Sequence, residues 1–369
     1  MEDIVVIGAG PGGLAAAAAL RQAGREPLVV DKAADVGSSW RAHYDRLHLH
    51  TERVFSGLPG LPIPRRYGRW VAREHVVEYL EEYARHHELK FRLGTAVQRI
   101  ERAGDSWRLN TSSGPIEARA AVVATGYNHT PHVPPWPGHF DGELIHSSRY
   151  KNAEPYAGCD VLVVGTGNSG AEIAVDLVEG GARRVRVAVR TPPNVVRRQL
   201  LGLSTQAMGI ALRHMPPRII DTIATAVQRF AVGDLSRYGL PPSPRGVYQR
   251  AREGQIPILD VGFIDALKRG QVGIVRPIEA FEGRDVLLEG GERIQPDVVI
   301  AATGFVRGLE TLVGHLGVLD ERGLPRAHGP KAVAPGLHFI GYTNPISGNL
   351  RELGIDARLI ASALARQPS

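Results

Sequence analysis

The feature that most limits what this chain can fold into is a strand, glycine turn and helix that occurs twice. A short β-branched run from Asp3 to Ile7 leads into Gly8-Ala9-Gly10-Pro11-Gly12-Gly13 and an alanine-rich helical stretch from Leu14 to Gln22. Further along, Val161 to Val164 leads into Gly165-Thr166-Gly167-Asn168-Ser169-Gly170 and a helical stretch from Ala171 to Glu179. In each G-x-G-x-x-G the first glycine permits the tight turn, the second lets a pyrophosphate approach the backbone, and the third lets helix and strand pack closely. Free N–H groups and the helix dipole at the helix start favour phosphate. A third element is duplicated too: the strand-like runs before Tyr127 and Phe305 both end in Ala-Thr-Gly. The pattern predicts an α/β chain of two Rossmann-like dinucleotide-binding domains, the second inserted into the first. The expected boundaries are 1–148 with 306–369 for one domain and 149–305 for the other.

The strand that follows each helix says which nucleotide is bound. Pro27 to Val30 ends on Asp31, a carboxylate placed to read a ribose hydroxyl pair, which suits FAD or NAD. The equivalent strand, Val185 to Val189, ends on Arg190-Thr191, and a guanidinium there suits the 2′-phosphate of NADPH. Two different dinucleotides in one chain imply electron transfer between them, with a bound flavin supplying the chemistry and NADPH the hydride. Cys159 is the only cysteine, so a dithiol disulfide reductase and a Cys-rich metal site are both excluded. A flavin monooxygenase, an electron-transfer reductase and a catalytically silent nucleotide-binding protein stay open. No metal is predicted.

The charge balance, 44 Lys+Arg against 38 Asp+Glu, is basic. Arg183, Arg184, Arg186, Arg190, Arg197 and Arg198 concentrate that charge, and without a nucleic-acid-reading module they are assigned to NADPH phosphate and solvated surface. No run reaches the roughly 18–20 apolar residues of a membrane span, and the N-terminus lacks signal-peptide character, so a cytoplasmic protein is expected. Leu200 to Val232, within a helical insert at about 200–245, has helical periodicity and few charges. It reads as a packed insert, with a substrate entrance, a homo-oligomer contact or a membrane contact as alternatives.

Between the two units, Phe140-Asp141-Gly142-Glu143-Leu144-Ile145-His146-Ser147-Ser148-Arg149-Tyr150 matches F-x-G-x-x-x-H-x-x-x-Y. From spacing alone His146 is an interdomain hydrogen-bonding residue rather than a base. With this motif the chain resembles the flavin-containing monooxygenases; Baeyer–Villiger relatives carry Trp where this chain has Tyr150. Arg46-Leu47-His48-Leu49-His50, Leu58 to Pro64, Glu78 to Ala84 and Leu259-Asp260-Val261-Gly262, in that order, make it similar to the YUCCA-type branch.

The resemblance implies FAD, NADPH and O₂ acting on a small-molecule substrate. A C4a-peroxyflavin would attack the 2-oxo carbon of indole-3-pyruvate and give indole-3-acetate and CO₂. It also implies that Ser39, Trp40 and Thr51 lie by FAD with Gly8, Gly10, Gly13 and Asp31. Gly165, Gly167, Asn168, Ser169, Gly170, Arg190 and Thr191 would hold NADPH. Heteroatom-oxidising relatives generally carry Asn beside the flavin, where this chain aligns His50, making His50 the catalytic candidate. An N- or S-oxygenase with the same cofactors is the enzyme alternative, and an NADPH-sensing redox protein the non-enzyme one. Gly341 to Arg351 resembles related microbial flavoproteins more closely than the YUCCA-type branch.

Overall fold

The computed structural model describes residues 1–212, 215–252 and 254–366. β1 (Glu2–Ile7) enters the first glycine turn, α1 (Pro11–Gln22) leaves it, and β2 (Pro27–Val30) returns parallel to β1, with Ile4 opposite Pro27 and Ile7 opposite Val30. Pro11 occupies the first turn of α1, where it has no hydrogen bond to lose. The alanines of α1 are buried between this sheet and the C-terminal helix Asn349–Ala365. Their small side chains let the two helices approach, and Gly12 lies against Leu353.

Two short helices, α2 (Ser38–Ala42) and α3 (Arg53–Ser56), lie in the excursion after β2, and α4 (Arg73–His86) packs Val76, Tyr79, Leu80 and Tyr83 into the same core. The strands β3 (Lys90–Arg92), β4 (Val97–Ala103), β5 (Ser106–Thr111) and β6 (Ile116–Val123) complete the first sheet in the order β3-β2-β1-β6-β5-β4. β6 is shared: its first half pairs antiparallel with β5, and Ala121 to Val123 pair parallel with Leu337–Phe339.

The second sheet repeats the plan. Its five parallel strands run Val272–Val275, Arg184–Ala188, Asp160–Val164, Val298–Ala301, Glu143–His146. In both sheets the strand feeding the glycine turn is flanked on one side by the next strand of its own unit and on the other by the strand that precedes Ala-Thr-Gly. Both faces of each sheet are covered by apolar clusters, as a parallel sheet requires. The fold is therefore α/β with two Rossmann-type domains, the second sheet formed by chain inserted between β6 and Leu337–Phe339. Glu143–His146, N-terminal to the expected boundary at 148, pairs in the second sheet. The two connections between the sheets also pair with each other, Thr130–Pro131 antiparallel to Phe305–Val306.

The insert beyond the second sheet contains α5's neighbours in sequence: after α5 (Asn168–Glu179) come α6 (Thr205–Leu212) and α7 (Pro217–Ala231). Residues 213 and 214 of the expected insert, and 367–369 of the expected first domain, lie outside the described residues. Among the described residues no helix is long and apolar enough to cross a membrane.

Candidate functional site

The two glycine turns have matching backbones. Gly10 (φ −83°, ψ −178°) and Gly167 (φ −83°, ψ 179°) are the N-cap residues of α1 and α5, and neither cap position provides a side-chain hydrogen bond. Gly8 and Gly165 have φ of +114° and +110°, a region that disfavours L side chains. A Cβ on Gly8 would lie 2.5 Å from the Ala124 carbonyl oxygen, and one on Gly165 2.6 Å from that of Ala302. The first glycine of each turn thus packs on its own Ala-Thr-Gly segment. Cβ atoms on Gly13 and Gly170 would stand 1.8 and 2.1 Å from the carbonyl oxygens of Gly8 and Gly165, so only glycine lets helix and turn meet there. The middle glycines differ. A Cβ on Gly167 meets nothing within 4 Å, and one on Gly10 only the Ser39 hydroxyl at 4.0 Å. Both turns therefore leave open the space that a pyrophosphate needs, and the residues present fit a dinucleotide at each.

The strand ends carry opposite charge. Asp31 accepts hydrogen bonds from the backbone N–H of Ala9 (2.6 Å) and of Ala33 (2.7 Å), which fixes its carboxylate beside the first turn. Arg190 and Thr191 are exposed. Of the six clustered arginines, Arg183 pairs with Asp297, Arg184 and Arg186 with Asp160, and Arg197 with Asp260, while Arg198 lies over the Trp70 ring. Arg190 has no hydrogen bond or ion pair among the described residues. Asn168 is committed to the fold through its side chain: its Oδ1 accepts from Leu259 N–H (2.7 Å) and its amide donates to the Pro257 carbonyl (3.4 Å). It braces the wall of the second turn. Ser169 and Gly170 follow in the first turn of α5.

His50 joins the two units. Its Nε2 is 3.0 Å from Oε1 of Glu172, a buried carboxylate on α5. The other oxygen, Oε2, accepts from the Tyr44 hydroxyl at 3.1 Å, and Tyr44 also meets Ser169. Burial raises the Tyr44 phenol well above its usual range, and the Glu172 charge adds to this, so it stays a donor. The other ring nitrogen of His50, Nδ1, is buried with no hydrogen-bond partner among the described residues. Thr51 next to it bonds Ser56 (2.8 Å). Trp40 packs against the cores of both units, and Ser39 is exposed beside Gly10.

Sequence reasoning missed Glu172 and Tyr44. The available signal was a carboxylate between Ala171 and Ile173 on the apolar side of α5, a position where an unpaired charge is costly.

His146 behaves as a hydrogen-bonding residue, though not between domains. Its Nδ1 accepts from Ser148 N–H (3.1 Å) and its Nε2 bonds the Gly304 carbonyl (2.9 Å), joining two strand ends of the second sheet. Burial lowers its pKa, which suits the neutral ring that this pattern demands. Tyr150 is buried, donates to Asp176 Oδ2 at 2.6 Å and stacks on Tyr156. The linker motif is thus a structural knot on the second sheet.

A family model described as pyridine nucleotide-disulphide oxidoreductase matches residues 5–203. The indole-3-pyruvate monooxygenase YUCCA1 of Oryza sativa subsp. japonica is 35% identical, over 92% of this chain and 86% of its own length. The probable indole-3-pyruvate monooxygenase YUCCA10 of Arabidopsis thaliana is 32% identical, over 96% and 94%. Among solved structures, a flavin-containing monooxygenase from Stenotrophomonas maltophilia superposes with a TM-score of 0.72 at 25% identity, over 98% of this chain and 99% of that one.

Proposed function

The chain belongs to the YUCCA-type flavin monooxygenases, enzymes that use flavin and nicotinamide cofactors, and on that premise we propose that it oxidatively decarboxylates a 2-oxo acid with FAD, NADPH and O₂. Indole-3-pyruvate, converted to indole-3-acetate, is the first substrate to test. The balance is 2-oxo acid, O₂, NADPH and a proton in, and the acid one carbon shorter, CO₂, water and NADP⁺ out. When bound, the flavin supplies activation of O₂ with two electrons taken from the nicotinamide.

In this reading the first turn, with Gly8, Gly10, Gly13 and Asp31, holds the FAD pyrophosphate and ribose, flanked by Ser39, Trp40 and Thr51. The second turn, Gly165 to Gly170, takes the NADPH pyrophosphate, and Arg190 with Thr191 takes the 2′-phosphate. Asp31 stays oriented because two backbone N–H groups already hold it, leaving lone pairs for a ribose hydroxyl.

The observation that carries the reading is His50. Glu172 fixes its ring from the other unit, and its buried Nδ1 is left without a protein partner among the described residues, free to meet a ligand. A single imidazole nitrogen there differs from an asparagine amide, which presents a donor and an acceptor together. Incubation with NADPH, ¹⁸O₂, catalase and indole-3-pyruvate or phenylpyruvate should release CO₂ and place label in the product carboxylate. Unlabelled product, together with efficient oxygenation of amines or sulfides, would replace this reading by N- or S-oxygenation.

A further inference from the structure

α7 turns one continuous apolar face, Ile220, Ile223, Ala224, Val227 and Ala231, toward a chamber that Met208 and Gly209 of α6 close from the other side. The recurrence of these positions at three and four residues is a single helix face. The chamber's open space is about 110 Å³. An apolar cavity of this order, about 150 Å³, takes up benzene and stays dry otherwise. Its floor is Ile346, which a Cβ on Gly209 would approach to 2.8 Å, so α6 sits hard against that side chain.

Ile346, Gly209 and Tyr248 also line a second, larger and polar cleft with Tyr127, Tyr342 and Asn344. This cleft adjoins the end of β6, because the Tyr342 hydroxyl bonds Thr125 of the first Ala-Thr-Gly segment at 2.7 Å. The buried Gln206 of α6 locks the arrangement. Its Oε1 accepts from Glu52 N–H (2.8 Å) and its Nε2 donates to the Ser347 carbonyl (2.7 Å). The insert is thereby bolted to the residues that follow His50 and Thr51 on one side and to the Ile346 segment on the other.

We propose that the apolar chamber between α6 and α7 receives the hydrocarbon side chain of the substrate, an aryl or branched-alkyl 2-oxo acid whose carboxylate end stays in the adjoining polar cleft. This rests on the 2-oxo acid reading for the acid end of the ligand. The two spaces share Gly209, Tyr248 and Ile346, the chamber's wall is almost wholly apolar although Arg197, Thr205, Gln228 and Tyr248 border it, and Arg322 and His328 line the cleft, so together they suit one molecule with a hydrocarbon end and an anionic end.

The chain has three methionines, Met1, Met208 and Met215, so ¹³C-methyl labelling gives a probe inside the chamber, assigned with Met208→Leu. Phenylpyruvate added to the oxidised holoenzyme without NADPH should produce a saturable shift of the Met208 methyl resonance. Pyruvate should produce none, and Ala224→Phe, which fills the chamber, should abolish the shift. If Met208 is unmoved by phenylpyruvate while NADPH and ¹⁸O₂ still yield labelled phenylacetate, the chamber assignment is wrong and the decarboxylase reading stands. If Met208 moves but no labelled acid forms, the chamber assignment stands and the decarboxylase reading falls. A Met208 shift that follows protein concentration instead of ligand means that a second copy of the chain covers the chamber, and overturns the inference.

Discussion

Replacing Arg190 by alanine separates nucleotide choice from folding, because this guanidinium is exposed and has no protein partner among the described residues. Its removal strands no buried charge, so the fold should change by no more than about 0.5 kcal/mol. Arg186 is the contrast. It pairs at 2.6 Å with Asp160, whose side chain is 7% exposed, and Arg186→Ala would leave a buried carboxylate short of a partner. In the proposed complex Arg190 makes a charge-assisted contact to the 2′-phosphate, worth about 1.5–3 kcal/mol, so NADPH should bind roughly 10–150-fold more weakly in Arg190→Ala. NADH, which lacks that phosphate, should be nearly unaffected. The contact is at the surface, so raising the ionic strength should shrink the difference between wild type and variant. Anaerobic stopped-flow reduction of the bound flavin, with NADPH and NADH titrated separately, measures both affinities, and thermal unfolding checks the fold. Equal weakening of the two nucleotides, or a loss of affinity matched by a loss of Tm, would refute the assignment.

His50→Asn should retain FAD yet uncouple NADPH oxidation into H₂O₂ release, measured with a peroxide assay; unchanged coupling would reduce His50 to packing. Gly170→Ala should lower Tm clearly, because its Cβ would stand 2.1 Å from a backbone oxygen, whereas Gly167→Ala should fold normally and lose NADPH affinity. Tyr150→Phe removes the 2.6 Å bond to Asp176 and should cost about 1–3 kcal/mol by urea unfolding, with the flavin spectrum unchanged. Burial holds His43, His146 and His338 below the ordinary imidazole value of 6.5. The unfolded chain then binds protons that the folded chain refuses, so stability should fall as pH drops through 6.5 and level off below the depressed folded values; a Tm flat from pH 7.5 to 5 would contradict this.

What was legible in the sequence is what local backbone chemistry dictates. Gly8 and Gly165 need positive φ, Gly13 and Gly170 need a missing Cβ, and the β-branched runs before them can only be buried strands; each constraint acts within a few residues and leaves its mark there. The Ala-Thr-Gly repeats were visible as a duplication, but their packing on Gly8 and Gly165 is a long-range fact. The residues that complete the site are long-range as well. Glu172 meets Tyr44 and His50 from another domain, and Gln206 bonds Glu52 and Ser347 at opposite ends of the chain. A polar residue on a buried helix face announces that a partner exists without saying which one. His146 illustrates the same limit: its hydrogen-bonding character was legible, while its partner, Gly304, lies in the Ala-Thr-Gly segment that follows the neighbouring strand of the same sheet.

The small ribbon formed by Thr130–Pro131 and Phe305–Val306 has a mechanical consequence. Two tethers bonded to each other act as one, so the outgoing and returning chain cannot spread apart without breaking that pairing. Twisting one sheet against the other about the ribbon breaks none of it. Against such a twist stand the side-chain contacts from α5 and the insert back to the first unit, among them His50 and Tyr44 to Glu172, Arg46 to Asp176 and Glu179, and Gln206 to Glu52. The contact that grips His50 and the contact that seats the helical insert thus bridge the same two units.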